Sequence, residues 1–208
     1  MQKILITLCF VFAFVANGIG FIACAEENYL PQNGDIIFHT SQSSQSDMIQ
    51  IATESPYSHV GIVYIRDGKP YVYEAIKTMS LTPLDTWVAR GIGKKYTVLR
   101  PKEELSTETL VEMRKVGEKY KNVSYDILFQ WSDDKMYCSE LVWKVYEQGA
   151  HIRLVEPKTF SSYKFDDPKI AEAVKKRWGK NLRPEELVVA PSDLFASPYL
   201  VEVYSNYE

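Results

Sequence analysis

Asp67-Gly68, set between two β-rich runs, constrains this chain more than any other pair of residues. Tyr57 to Arg66 and Pro70 to Lys77 are rich in Val, Ile and Tyr. Asp-Gly is a strong hairpin signal because both positions of the tight turn that joins such strands need positive φ. With Asp67 and Gly68 as the two loop residues, Arg66 pairs with Lys69, Ile65 with Pro70, Val63 with Val72, and Gly61 with Glu74. Side chains alternate faces along a strand, so His59, Gly61, Val63, Val72 and Glu74 share one side. His59 and Glu74 become diagonal neighbours on a mostly apolar surface, and Gly61 leaves them room. A three-residue loop would shift the register and turn Glu74 to the other face. Two readings of His59 stand here: a hydrogen-bonded core histidine, or half of a chemical pair.

The cysteines narrow the compartment. Gln2-Lys3 is a weak positive start, Ile4 to Val15 is an apolar run, and Ala23-Cys24-Ala25 closes it in A-x-A style before Glu26-Glu27. Residues 1–25 therefore read as a signal peptide and 26–208 as a single catalytic-sized domain, secreted or periplasmic. A rival reading makes Cys24 the acylated residue of a membrane-anchored lipoprotein, since Phe21-Ile22-Ala23-Cys24 loosely fits such a box, though Phe21 suits its place poorly. A retained membrane helix is disfavoured by Asn17, Gly18 and Gly20. Cys9 leaves with the signal, and Cys24 is removed or lipidated, so Cys138 is the one free thiol of an exported chain. A disulfide within the domain and a four-cysteine zinc site are both excluded, and an unpaired thiol in an oxidising compartment is a candidate for reactivity.

Cys138 opens an amphipathic helix. Cys138, Leu141, Val142 and Val145 fall at i, i+3, i+4 and i+7, and Gly149 follows where a helix commonly closes on a left-handed residue. A thiol in the first turn feels the positive end of the helix dipole, which favours thiolate. A structural core cysteine is the competing reading.

The other segments follow local signals. Asp35 to His39 is a strand after the Asn33-Gly34 turn, and Thr40 to Ser46 a polar loop capping a short helix, Asp47 to Thr53. An extended piece ends at Leu81-Thr82-Pro83, a short helix spans Leu84 to Ala89, and Tyr96 to Arg100 is a strand. Ser106 caps a helix running to Tyr120, with Leu110, Met113, Gly117 and Tyr120 on one face. Asp167-Pro168 starts another helix that stops near Trp178-Gly179, Pro191 to Phe195 is a helical turn, and Leu200 to Tyr204 a last strand. Strands early and helices later point to an α+β fold.

Three residue types thus stand out: Cys138 at a helix start, and His59 and Glu74 on paired strands. Nucleophilic thiol chemistry needs this set: a thiolate, a base that takes and returns its proton, and a group that orients the imidazole. The Cys138 backbone N–H is the economical oxyanion donor. His39 and His151 lack such partners and are not expected to be catalytic. A metal site built from His59, Glu74, Cys138 and His39 lacks compact ligand spacing, so neither a metal nor a cofactor is expected. No G-x-S-x-G elbow occurs, which leaves a serine hydrolase of that type unsupported.

Several stretches resemble the YiiX-type proteins of bacteria, in the circularly permuted branch of the NlpC-type papain-like superfamily. They are Gly34-Asp35-Ile36-Ile37-Phe38, Ser41 to Ser46, Tyr57-Ser58-His59-Val60-Gly61, Pro70-Tyr71-Val72-Tyr73-Glu74-Ala75, Ser132-Asp133-Asp134, Tyr137-Cys138-Ser139-Glu140 and Val188-Val189-Ala190-Pro191. In most papain-like enzymes the cysteine precedes the histidine; here the order is histidine, acid, cysteine, as the permuted branch requires. The resemblance implies Cys138 as nucleophile, His59 as base and Glu74 as the orienting residue. It also implies a permuted papain-like fold with a small, curved, barrel-like antiparallel sheet and packed helices. For the substrate the resemblance leaves cell-wall peptides, other amides and acyl lipids all open.

The leading expectation is a secreted thiol hydrolase of amide, peptide-like bonds working through an acyl-enzyme. A lipid acyl hydrolase or acyltransferase with the same site, and an inactive envelope-binding module, are the alternatives. Net charge is −3, about −4 once residues 1–25 with their single charge Lys3 are set aside. With no basic, aromatic-interleaved stripe, nucleic acid is not an expected partner. The expected partner is a small peptide, amide or lipid-amide of the cell envelope, with membrane contact only if Cys24 is lipidated. No wall-anchoring repeat is recognisable, which favours small or already released substrates. The apolar stretch Ala150 to Asp166 is expected either to wall the site as a lid or to pack on the core.

Overall fold

A computed structural model describes residues 29–164, 167–179 and 182–207. The signal reading of residues 1–25, Cys24 included, and the Phe165-Asp166 end of the lid stretch lie outside them.

The hairpin forms β2 (His59–Arg66) and β3 (Lys69–Ala75), with Arg66 opposite Lys69, Ile65 opposite Pro70 and Val63 opposite Val72. Asp67 (φ 51°) and Gly68 (φ 72°) both take the left-handed conformation that the two-residue turn demands. At Gly61 a Cβ would stand 2.4 Å from Val72 Cγ1 and 2.9 Å from the Tyr73 carbonyl oxygen, so the strands close only over a glycine.

Around this pair builds a wholly antiparallel six-stranded sheet. Its members are β1 (Ile36–His39), β2, β3, β4 (Met79–Pro83), β5 (Thr97–Pro101) and the C-terminal strand Leu200–Ser205, in the order C-terminal strand, β5, β1, β2, β3, β4. The barrel-like expectation is corrected here: the sheet is open. β4, which runs straight into α2 (Leu84–Ala89), pairs only with β3, and the C-terminal strand pairs only with β5, so the two edges do not meet.

Both faces of the sheet are covered, which is why the first six residues of β2 are all buried. On one face Ile36, Phe38, Val60 and Ile62 pack with α3 (Thr107–Lys119) and α4 (Cys138–Val145). On the other, Ile37, Val63, Val72 and Val98 pack beneath Leu84 and Trp87 of α2. Each such fully buried aliphatic side chain contributes roughly 1.5–3 kcal/mol relative to exposure. A third cluster joins Phe160 to Ile170, Val174 and Trp178 of α5 (Pro168–Trp178). No helix among the described residues is long and apolar enough to cross a membrane.

Every residue of α4 is buried, not one face alone. Its two charged residues therefore pair: Lys144 Nζ lies 2.9 Å from Glu140 Oε1 and 2.7 Å from Asp133 Oδ1. The helix also runs past the expected stop at Gly149, through a π-helical turn from Tyr146 to Ala150, and the left-handed residue is His151 (φ 56°). Gly149 is there for contact. A Cβ on it would stand 2.5 Å from Met113 Cα and 2.8 Å from Met113 N, on the backbone of α3.

Candidate active site

His59 is the first residue of β2 and Glu74 the last but one of β3, so both stand at the same end of the sheet. Glu74 is fully buried and uses both oxygens. Oε2 accepts from His59 Nε2 at 2.6 Å, while Oε1 accepts from Thr82 Oγ1 at 2.5 Å and from the Arg90 guanidinium. Burial would push its carboxyl up; the bond and charge of His59, with Thr82 and Arg90, outweigh burial and hold it below its usual range.

With Nε2 committed to Glu74, Nδ1 is the His59 nitrogen left for Cys138, which lies close enough to act on the ring's charge. Burial works against an imidazolium here. The neighbouring Cys138 side chain, then Glu74, outweigh it and raise the His59 pKa from 6.5 to about 9. Cys138 (3% exposed) is the first residue of α4, with Tyr137 as the N-cap. The strand segment beyond it is tied on by Ser139 Oγ, which donates to the Val189 carbonyl at 2.7 Å, and by the Val189 N–H, which donates to Tyr137 Oη at 3.2 Å. A thiol, an imidazole and a carboxylate linked in this order can generate a nucleophile and deliver a proton to a leaving group.

Two hollows meet at this point. One, of about 70 Å³, has Cys138 in its wall and is otherwise nearly all apolar, with Met48 and Ile49 of α1 (Ser46–Thr53), Phe129, Phe160 and Val188 among its lining. The other, a cleft of about 540 Å³, has His59 in its wall with serines, Gln45, Arg90 and Arg177. Tyr125 borders both, and its hydroxyl accepts from Gln45 Nε2 at 2.8 Å. The Ala150–Asp166 stretch divides its work: Leu154 packs in the main core, whereas Phe160 and Tyr163 wall the apolar hollow.

Of the other histidines, His151 is exposed. His39 is buried beside the site, stacked on Trp87 (centroids 3.9 Å apart, planes at 18°) and 5.3 Å from the His59 ring. Burial, with the charges of His59 and Arg90, drives its pKa to about 2, so it stays neutral. Among the described residues no three His, Cys, Asp or Glu side chains are arranged to hold a metal ion.

Comparison with known proteins gives the same picture at the level of family. Residues 30–204 match the family described as "permuted papain-like amidase enzyme, YaeF/YiiX, C92 family". The chain belongs to this permuted papain-like amidase family. Among its relatives, the uncharacterized protein YiiX of Escherichia coli K12 is 43% identical over 177 residues, covering 85% of this chain and 88% of YiiX. The crystal structure of yiiX from Escherichia coli O157:H7 superposes with a TM-score of 0.84 at 42% identity, covering 86% of this chain and all of that one. That protein is described as a metalloprotein. The triad residues do not fit a metal: both Glu74 oxygens are taken by His59, Thr82 and Arg90, and His59 Nε2 is committed to Glu74.

Sequence reasoning missed Thr82 and Arg90. Thr82 was within reach of it, since β4 pairs Ser80 with Glu74 and so sets Thr82 diagonal to it on the same face. Arg90 follows α2, and nothing local to it signals that the helix crosses back to the hairpin. In the polar loop Gln42, Ser43 and Ser44 are exposed, as a solvated capping loop would have them, but its last serine is not. Ser46 is buried, its hydroxyl 2.7 Å from Ser58 Oγ, which also accepts from the Ser41 N–H at 2.8 Å, beside His59.

Proposed function

We propose that the protein is an exported thiol amidase that releases apolar acyl groups through an acyl-enzyme on Cys138. The Cys138 thiolate adds to the amide carbonyl and a C–S bond forms. His59, as imidazolium, gives its proton to the amide nitrogen as the C–N bond breaks, and the amine leaves. Water then attacks the thioester, its proton passing to His59. The carboxylic acid leaves and the thiol–imidazole pair is restored. Glu74 orients the imidazole and stabilises its charge, Thr82 and Arg90 hold Glu74, and the Cys138 N–H faces the developing oxyanion.

The observation that carries this reading is that Cys138, next to the Glu74-bound His59, lies in the wall of an apolar cavity. An acyl chain seated there has its carbonyl at the thiol. The export reading of residues 1–25 accords with it, because a single free thiol outside the cytoplasm is kept for its reactivity.

The same cavity also suits a lipid ester, which makes a lipid acyl hydrolase or acyltransferase the second reading. Matched amides and esters differing only in acyl length separate the cases. For amides, kcat/KM should climb with chain length by up to about fourfold per methylene until the cavity is full. A flat series, with gains only on extending a peptide, contradicts the acyl pocket. Climbing esters over inert amides favour the lipid enzyme. Slow labelling of Cys138 by iodoacetamide at pH 6 would point to an inert binding module instead.

A further inference from the structure

The wider cleft carries a feature that thiol chemistry does not use. Its lining includes two arginines and no acidic residue. Arg90 spends its guanidinium on Glu74. Arg177, on α5, is half-buried against the faces of Phe129 and Trp178, its guanidinium carbon 5.7 and 5.4 Å from the ring centroids. Among the described residues it has no carboxylate partner. Stacking on rings stabilises a cation only modestly, and a partly desolvated guanidinium without a counter-charge is costly. The surrounding charges do not cancel it. Glu74 is engaged by Arg90, and no carboxylate lines the cleft to offset Arg177.

Resting on the amidase reading, we infer that the leaving amine of the substrate carries an anionic group, a carboxylate or a phosphate, which Arg177 receives in the polar cleft. The two hollows divide the substrate at the scissile bond. The acyl side lies in the apolar cavity with Cys138. The amine side lies with His59, which must protonate its nitrogen, and that is the side Arg177 lines. A guanidinium fork is matched in geometry to a carboxylate or a phosphate, and against a neutral group it gains nothing comparable. The substrate class is then an N-acyl amino acid or an N-acyl phosphoamine.

Three compounds with one acyl chain test this: N-dodecanoylglycine, N-dodecanoylphosphoethanolamine and the neutral N-dodecanoylglycinamide. Each is scored twice, by kcat/KM and by the concentration that protects Cys138 from iodoacetamide, which reads binding without turnover. At least one anionic compound should exceed the neutral one by roughly tenfold or more in both assays. Arg177→Gln should collapse that ratio towards one, and Arg177→Lys should retain part of it. Because the readout is a ratio within one preparation, a loss of folded protein does not imitate it. The arm with the larger ratio tells carboxylate from phosphate. Protection with the expected ratios but no hydrolysis would overturn the amidase reading and leave the anion site standing. Equal protection by all three compounds, or a ratio that survives Arg177→Gln, overturns the anion site.

Discussion

At the scale of single residues, the decisive balance is at Glu74 and His59. A carboxylate with no exposure persists as an anion because imidazole, hydroxyl and guanidinium all donate to it. That anion helps lift the His59 pKa to about 9. If His59 acts as imidazolium, the active form is present below that pH and is lost as pH rises through it. The alkaline limb of kcat/KM should therefore fall near pH 9. Glu74→Gln removes one of the two neighbours that raise His59, so the limb should move down from about 9 in the direction of the ordinary imidazole value. A pH–rate profile checks this, and a limb that stays in place in Glu74→Gln contradicts the role given to Glu74.

At the scale of elements, much was legible because it is local. The Asp67-Gly68 turn sets the register of β2 and β3, and with it the meeting of His59 and Glu74. Ser106 caps α3 as read, accepting from the Thr109 N–H at 3.1 Å. What could not be read depends on neighbours far along the chain. β2 is buried on both faces, which alternation does not reveal, and the fully buried α4 looked one-sided. Gly149 shows the same limit. Its sequence position suggests a helix cap, yet it serves the approach of α4's extension to Met113. Ala is ordinarily the better helix residue by about 1 kcal/mol. Here its methyl would strike backbone, which cannot swing aside as a side chain can, so Gly149→Ala should destabilise by about 1–3 kcal/mol. Urea denaturation measures this, and a stabilised variant would show that the helices separate easily.

At the scale of the whole molecule, chain order and spatial order differ in a way the chemistry does not notice. Histidine and acid come first, on a hairpin; the thiol comes later, at the head of a buried helix; one end of the open sheet brings them together. The apolar cavity and the polar cleft share Tyr125, so a substrate seated across them exposes its scissile bond between Cys138 and His59. The most direct test is to trap the covalent intermediate. The protein is mixed with a dodecanoyl anilide, quenched in acid within the first turnover, and measured by intact-protein mass spectrometry followed by peptide mapping. A dodecanoyl group in place of one hydrogen, on the peptide carrying Cys138 and absent from Cys138→Ala, is the expected result. Hydrolysis by purified Cys138→Ala, or an acyl group carried on any other residue, would contradict the thiol mechanism.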